Sequence, residues 1–151
     1  ANDATLLHQA MDQGALAGYP LQDIAVRVTD GKYHAVDSKE IAFVTAGKRT
    51  FLSAVLDAKP TLLEPMVELE ITAPSSYLGD ITSDLSGKRG RVVSTDFLAG
   101  DQSLIVVVPL AEVGLYPAQL KPMTGVLGSY TLQSAGHEPV PGHLREQLCN
   151  G

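Results

Sequence analysis

The chain has 151 residues, of which 44% are apolar, enough to fill the core of one ordinary domain or of two small ones. Its net charge of −6 argues against a general nucleic-acid binder, because such proteins gain affinity from Lys and Arg side chains that face phosphates. The sequence has no uninterrupted apolar run of the ~20 residues that a membrane span needs, and its single cysteine, Cys149, excludes an internal disulfide. We therefore expect a cytoplasmic chain that makes no membrane contact.

The first 60 residues predict a helix, a strand and a second helix. Apolar and polar residues alternate over 24–28, which is typical of a half-buried strand. Asp37, followed three residues later by Glu40, resembles a capping box and predicts a helix that runs to about Ala58. One strand cannot complete a sheet, so these elements look like part of a domain.

The next 80 or so residues predict a complete α+β domain. The sequence "SLIVVVPL" is a continuous apolar run that favours a strand in the middle of a sheet. A helix after it should be short or broken, because it contains Pro117 and Pro122. The predicted order is β-α-β-β-α-β, the ferredoxin-like arrangement, with four strands and two helices on one face. The elements are expected near residues 67–72, 75–87, 91–98, 103–110, 111–124 and 129–134.

Motifs for the common enzymatic chemistries are absent from this sequence. It has no phosphate-binding loop of the form G-x-x-x-x-G-K-[ST], no G-x-S-x-G nucleophile elbow, and no Cys/His spacing suited to zinc. We therefore predict no catalytic residue, no metal site and no cofactor in this chain, which should act as a binding module rather than as an enzyme.

Two short segments could contact RNA, although each also has a simpler explanation. Lys88, Arg89 and Arg91 could bind phosphates, or they could stay solvated beside the negative end of a helix. Tyr33, between Lys32 and a histidine, could stack on a base or could fold back onto the sheet. The residues alone leave both choices open.

Several segments resemble the C-terminal part of bacterial elongation factor G, a translational GTPase. The segments are "DGKYHAVDSKE", "LLEP", "YLGD" and "VPLAE", and they occur in the order and at the spacing of that family. The resemblance implies that residues 1–60 are the C-terminal half of domain IV, an α-β-α piece similar to domain 2 of ribosomal protein S5. It also implies that residues 61–141 are the ferredoxin-like domain V and that residues 142–151 are a C-terminal tail.

The resemblance implies two groups of site residues. In domain IV, a tip loop that enters the decoding region would comprise Gly31, Lys32, Tyr33, His34, Asp37 and Ser38. In domain V, a contact with ribosomal RNA or with the ribosome would involve Tyr77, Gly79, Asp80, Lys88, Arg89 and Arg91.

The implied function is to promote translocation of tRNA and mRNA. The parent protein would bind GTP and magnesium, and its partners would be rRNA, ribosomal proteins, and tRNA and mRNA at the A site. The second helix of domain V lacks the family's arginine, so the chain resembles a divergent paralogue, and ribosome recycling or ribosomal protection are alternative roles. Exposed apolar surface on the unpaired strand predicts that the fragment can form a homodimer. A different class of function is a stand-alone ferredoxin-like module that binds a ligand or dimerises.

Overall fold

The computed structural model of the protein describes residues 3–36, 39–98, 100–125 and 127–150. They form two compact units, Ala1–Leu62 with Pro141–Gly151 and Leu63–Val140. None of the helices within the described residues is both long enough and apolar enough to cross a membrane. The elements in chain order are α1 (Asp3–Gln13), α2 (Glu40–Asp57), β1 (Leu63–Pro74), α3 (Ser75–Gly87), β2 (Arg91–Leu98), β3 (Asp101–Pro109), α4 (Leu110–Val113), α5 (Tyr116–Met123), β4 (Ser129–Pro139) and α6 (Gly142–Asn150).

In the first unit, α1 and α2 pack against each other. Ala10 on α1 and Phe51 on α2 are both buried. Gly14 ends α1 with φ +67°, a left-handed conformation that glycine adopts without steric cost. The Lys48 ammonium of α2 donates a hydrogen bond to the side-chain oxygen of Gln13 in α1. The two predicted helices are therefore confirmed.

The strand predicted over 24–28 does not form. No strand is assigned to this segment, and its apolar side chains, Ile24, Val26 and Val28, are exposed. A strand needs a neighbour to satisfy its backbone hydrogen bonds, and the described residues supply no partner strand here. Two of these side chains instead border an open groove of about 220 Å³, which is lined by Leu7, His8, Met11, Ile24 and Val26. The homodimer proposed for this apolar surface stays a prediction.

Helix α2 begins later than the capping-box pattern indicates. Its first residue is Glu40, and the N-cap residue Lys39 makes no capping hydrogen bond through its side chain. The predicted cap, Asp37, lies outside the described residues, as does Ser38.

The second unit has one four-stranded sheet with the order β2-β3-β1-β4. Each neighbouring pair is antiparallel. With α3 between β1 and β2, and with α4 and α5 between β3 and β4, this is the ferredoxin-like fold. The predicted fold class is confirmed. Strand β3, which contains the apolar run, lies inside the sheet as predicted.

Alternation along β1 separates the core of this unit from its surface. Leu69 and Ile71 are fully buried, whereas Glu68 and Glu70, which alternate with them, are half-buried on the opposite face. The Ser103 hydroxyl of β3 donates a hydrogen bond of 3.3 Å to Glu70. The core consists of Val67, Leu69, Ile71, Ala73, Leu78, Ile81, Leu85, Leu104, Val106, Val108, Val113, Tyr116 and Leu120.

The proline-containing segment forms two short helices, α4 and α5, so the prediction of a broken helix is confirmed. Residues predicted as a C-terminal tail contain the helix α6. In the first turn of α6, the amides of Leu144 and Arg145 donate to the Pro141 carbonyl at 3.0 Å.

Candidate nucleic-acid interface

The described part of the tip loop, residues 30–36, is exposed throughout. Asp30 accepts a hydrogen bond of 2.8 Å through its side chain from the amide of Gly31. Lys32 and His34 flank Tyr33 and are also exposed. The structure therefore places four predicted tip residues together, whereas the other two, Asp37 and Ser38, lie outside the described residues.

Tyr33 does not fold back onto a sheet but stacks on Phe43. The two ring centroids are 6.3 Å apart and the ring planes differ by 10°, which is an offset parallel arrangement. Phe43 belongs to the first turn of α2, where its amide donates to the Lys39 carbonyl at 3.3 Å. The stack therefore joins the tip loop to the start of a helix.

Phe43 is a site residue that sequence reasoning missed. The apolar stripe of α2 contains Val44, Phe51 and Val55, and Phe43 lies about 100° from Val44 around the helix axis. The available signal was a phenylalanine outside the buried face of the helix. A large aromatic side chain that is not part of the core indicates a possible contact elsewhere.

The basic cluster of the second unit lies where α3 ends and β2 begins. The Lys88 ammonium contacts both carboxylate oxygens of Asp84, at 2.8 and 2.9 Å, one helical turn earlier. It also lies 5.6 Å from the centre of the Tyr116 ring, within the range of a cation–π interaction. Tyr116 is almost fully buried, and its hydroxyl has no hydrogen-bond partner among the described residues. Burial, followed by the charge of Asp84, raises the pKa of Tyr116 well above its ordinary value.

Arg89 is the most constrained cation of this cluster. Its guanidinium donates two hydrogen bonds to the carboxylate of Glu64, at 2.6 and 2.9 Å, and a third to Glu112 at 3.2 Å. Its backbone is left-handed, with φ +61°, at the turn after α3 where glycine is usual. The hydrogen bonds to Glu64, more than the charge of Glu112, hold the pKa of Arg89 above its ordinary value.

Arg91 also has an acidic partner. Its guanidinium donates a hydrogen bond of 3.0 Å to Glu138 on β4, and this contact raises the pKa of Arg91. The partners of Arg89 and Arg91 are 23 to 47 residues away along the chain, so no local pattern could have revealed them. All three cations of the segment therefore face carboxylates of their own unit. The sequence had suggested only phosphate binding or solvation for them.

The remaining predicted residues of this unit lie toward the other end of α3. Gly79 and Asp80 are exposed, and Tyr77 is half-buried against the core. A helix rises about 1.5 Å per residue, so Gly79 lies roughly 12 Å along the axis from Gly87, the last residue of α3 before the basic cluster. The structure thus places the six predicted residues of this unit in two groups rather than in one site.

Comparison with protein families identifies both units. The description "Elongation factor G, domain IV" matches residues 5–59, and "Elongation factor G C-terminus" matches residues 61–148. The second match alone covers more than half of the chain. The chain belongs to the elongation factor G family. The predicted resemblance is therefore confirmed.

The chain is also similar to a solved crystal structure. A protein from Thermus thermophilus is 35% identical to the chain, with a TM-score of 0.83 over 98% of the chain. The match covers 22% of that protein. The chain therefore spans about a fifth of the length of this relative.

Proposed function

We propose that this chain is the ribosome-binding C-terminal part of an elongation-factor-G-like translational GTPase that acts in the cytoplasm. In that role the parent promotes movement of tRNA and mRNA on the ribosome. The observation that carries this proposal is the succession of two family matches, domain IV over residues 5–59 and then the C-terminus over residues 61–148. They occur in the family's order and leave one residue between them.

This chain would act by contacting RNA and by occupying space on the ribosome, and it would not make or break covalent bonds. The tip loop presents Lys32, Tyr33 and His34 on an exposed surface, where each can reach RNA. A cation, an aromatic ring and an imidazole offer charge, stacking and hydrogen bonding. An arm that carries these groups can occupy the space that a tRNA leaves and so oppose its return.

The ferredoxin-like unit would contact the ribosome mainly through shape and backbone groups. Lys88, Arg89 and Arg91 already face carboxylates, so a phosphate would have to compete with Asp84, Glu64 and Glu138. Exposed Gly79 and Asp80 on α3 have no such constraint from an ion pair among the described residues. We therefore assign them the larger share of any ribosomal contact by this unit.

GTP and magnesium, which the family implies for the parent, do not fit the residues of this chain. The described residues contain no group of three or more His, Cys, Asp or Glu side chains that could hold a metal ion. The sequence has no phosphate-binding loop either. The contacts that we propose for this chain therefore involve neither GTP nor magnesium.

The proposal is tested by His34→Ala in the full-length parent. We expect slower single-round translocation with an unchanged rate of ribosome-stimulated GTP hydrolysis, because the tip makes contacts and performs no proton transfer. His143→Ala, which removes an exposed histidine of α6, is the matched control and should translocate normally. Unchanged translocation by His34→Ala would contradict the role of the tip. A loss confined to subunit splitting would assign the parent to ribosome recycling instead.

A further inference from the structure

The aromatic stack at the tip is unusual because it is exposed. Tyr33 retains 73% of its accessible surface and Phe43 retains 43%, whereas Phe51 on the same helix retains 6%. Aromatic rings dominate cores because burying them releases water from a large apolar surface. A parallel pair that stays in water therefore gains little of that stabilisation for its own fold.

The two rings differ in how firmly they are held. Phe43 projects from a hydrogen-bonded helical turn, in which the amide of Ala42 also donates to the Lys39 carbonyl at 2.9 Å. Tyr33 comes from a loop without helix or strand. Phe43 is therefore the more constrained of the two rings, and because Tyr33 is 73% exposed, Phe43 covers only part of one face of the Tyr33 ring. The opposite face of Tyr33 is turned to solvent.

A flat, exposed ring beside a cation has the chemistry of a site for single-stranded RNA. Unpaired bases stack on aromatic side chains because each base has a π-face of similar size, and a nearby Lys can face the phosphate. Among the described residues Lys32 takes part in no ion pair, unlike Lys88, Arg89 and Arg91 of the other unit. The tip therefore combines a ring face with a cation that no described acidic side chain neutralises.

We propose that the outer face of Tyr33 receives an unpaired RNA base and that Phe43 is the positioning residue that holds this ring in place. This inference rests on the proposed function, because it names the chemical group that the tip would contact. In this proposal the tip loop contacts an RNA base through Tyr33, and not the sugar–phosphate backbone alone. It also extends the site from the loop to a helical residue.

The test uses the 151-residue chain and a short single-stranded RNA that contains 2-aminopurine, whose fluorescence falls when it stacks. At low salt, the wild-type chain and Tyr33→Phe should both quench the probe, since both retain the ring. Tyr33→Ala should raise Kd roughly 5- to 150-fold, the range found for loss of one stacked base. Phe97→Ala is the matched control, because Phe97 is 81% exposed on the other unit and stacks on no ring of the described residues.

The positioning role of Phe43 has its own measurement. In the free chain, Phe43→Leu should shift the Tyr33 ring proton resonances, because the ring current is lost, while Phe43→Tyr should preserve the stack. Phe43→Leu should then weaken RNA binding and Phe43→Tyr should restore it. Circular dichroism shows whether α2 stays folded in each variant.

Three outcomes would overturn the proposal. The first is absence of quenching by the wild-type chain, and the second is equal affinity of Tyr33→Ala and Phe97→Ala. The third is equal binding of an abasic oligomer, which would assign the contact to phosphate. Each outcome leaves the translocation test with His34→Ala unaffected. Conversely, normal translocation by His34→Ala together with clear base stacking would reject the proposed function but not the stacking site.

Discussion

Replacing Glu64 with Gln should destabilise the ferredoxin-like unit, because Glu64 anchors Arg89. The substitution keeps the size of the side chain but removes the charge that receives the two guanidinium hydrogen bonds of 2.6 and 2.9 Å. Glu64 is 14% exposed and Arg89 is 27% exposed, so the pair is sheltered without being fully buried. The pair links the turn after α3 to the beginning of β1.

The expected loss of stability in Glu64→Gln lies between the contributions of exposed ion pairs and of buried ion pairs. Exposed ion pairs contribute ~0–1 kcal/mol, whereas hydrogen bonds to charged groups in sheltered sites contribute ~1.5–3 kcal/mol. Allowing for screening by solvent, we expect Glu64→Gln to lower the free energy of unfolding by about 1–2 kcal/mol. For a chain of this size that corresponds to a decrease in Tm of roughly 2–8 °C. Glu112→Gln should cost less, because its bond to Arg89 is single and longer, at 3.2 Å.

Urea unfolding of the wild type, Glu64→Gln, Arg89→Met and the double variant gives the coupling free energy between the two side chains. We expect a coupling of about 1–2 kcal/mol that decreases in 1 M NaCl. Arg91→Met is the control, because Arg91 lies at the surface and should affect the unfolding midpoint far less. A coupling below about 0.5 kcal/mol would refute the reasoning, since Arg89 would then be solvated and available to phosphate.

Further predictions concern a glycine and a buried tyrosine. A Cβ atom at Gly90 would lie 2.7 Å from the Leu85 carbonyl oxygen, so Gly90→Ala should cost about 1–3 kcal/mol in urea unfolding. Gly87→Ala in the same segment meets no atom within 4 Å and should be neutral or slightly stabilising; equal urea midpoints for the two variants would contradict the close approach. Because the pKa of Tyr116 is raised from 10.0, the unfolded chain loses this proton first, and stability should fall as pH rises above 10. Tyr116→Phe should flatten that decline, and parallel stability curves for the two proteins from pH 9 to 11 would show that Tyr116 does not titrate as described.

Local sequence patterns predicted most of the fold because they reflect local physics. The strict alternation along β1 required one dry face, and β3 alternates in the same way within its apolar run, with Leu104, Val106 and Val108 buried and Ile105 and Val107 half-buried. The order of these elements then allowed few arrangements other than a split βαβ sheet. Similarly, the prolines after β3 removed backbone donors and restricted the helices that follow.

The alternating segment at 24–28 shows where such patterns fail. Alternation indicates that a segment can form a strand, but a strand exists only when another backbone accepts and donates its hydrogen bonds. No partner strand is available among the described residues, so Ile24, Val26 and Val28 stay exposed. Pairing is a property of the assembled domain rather than of the segment.

The sequence by itself determined which side chains occupy the tip and the basic turn, because residue type and local spacing specify loops, helix ends and family membership. The tertiary structure alone decided which partner each of these side chains would have. It placed Glu64 and Glu138 against Arg89 and Arg91, and it stacked Phe43 on Tyr33. Charge and stacking depend on distances of a few ångströms between groups, and folding sets those distances across long stretches of chain.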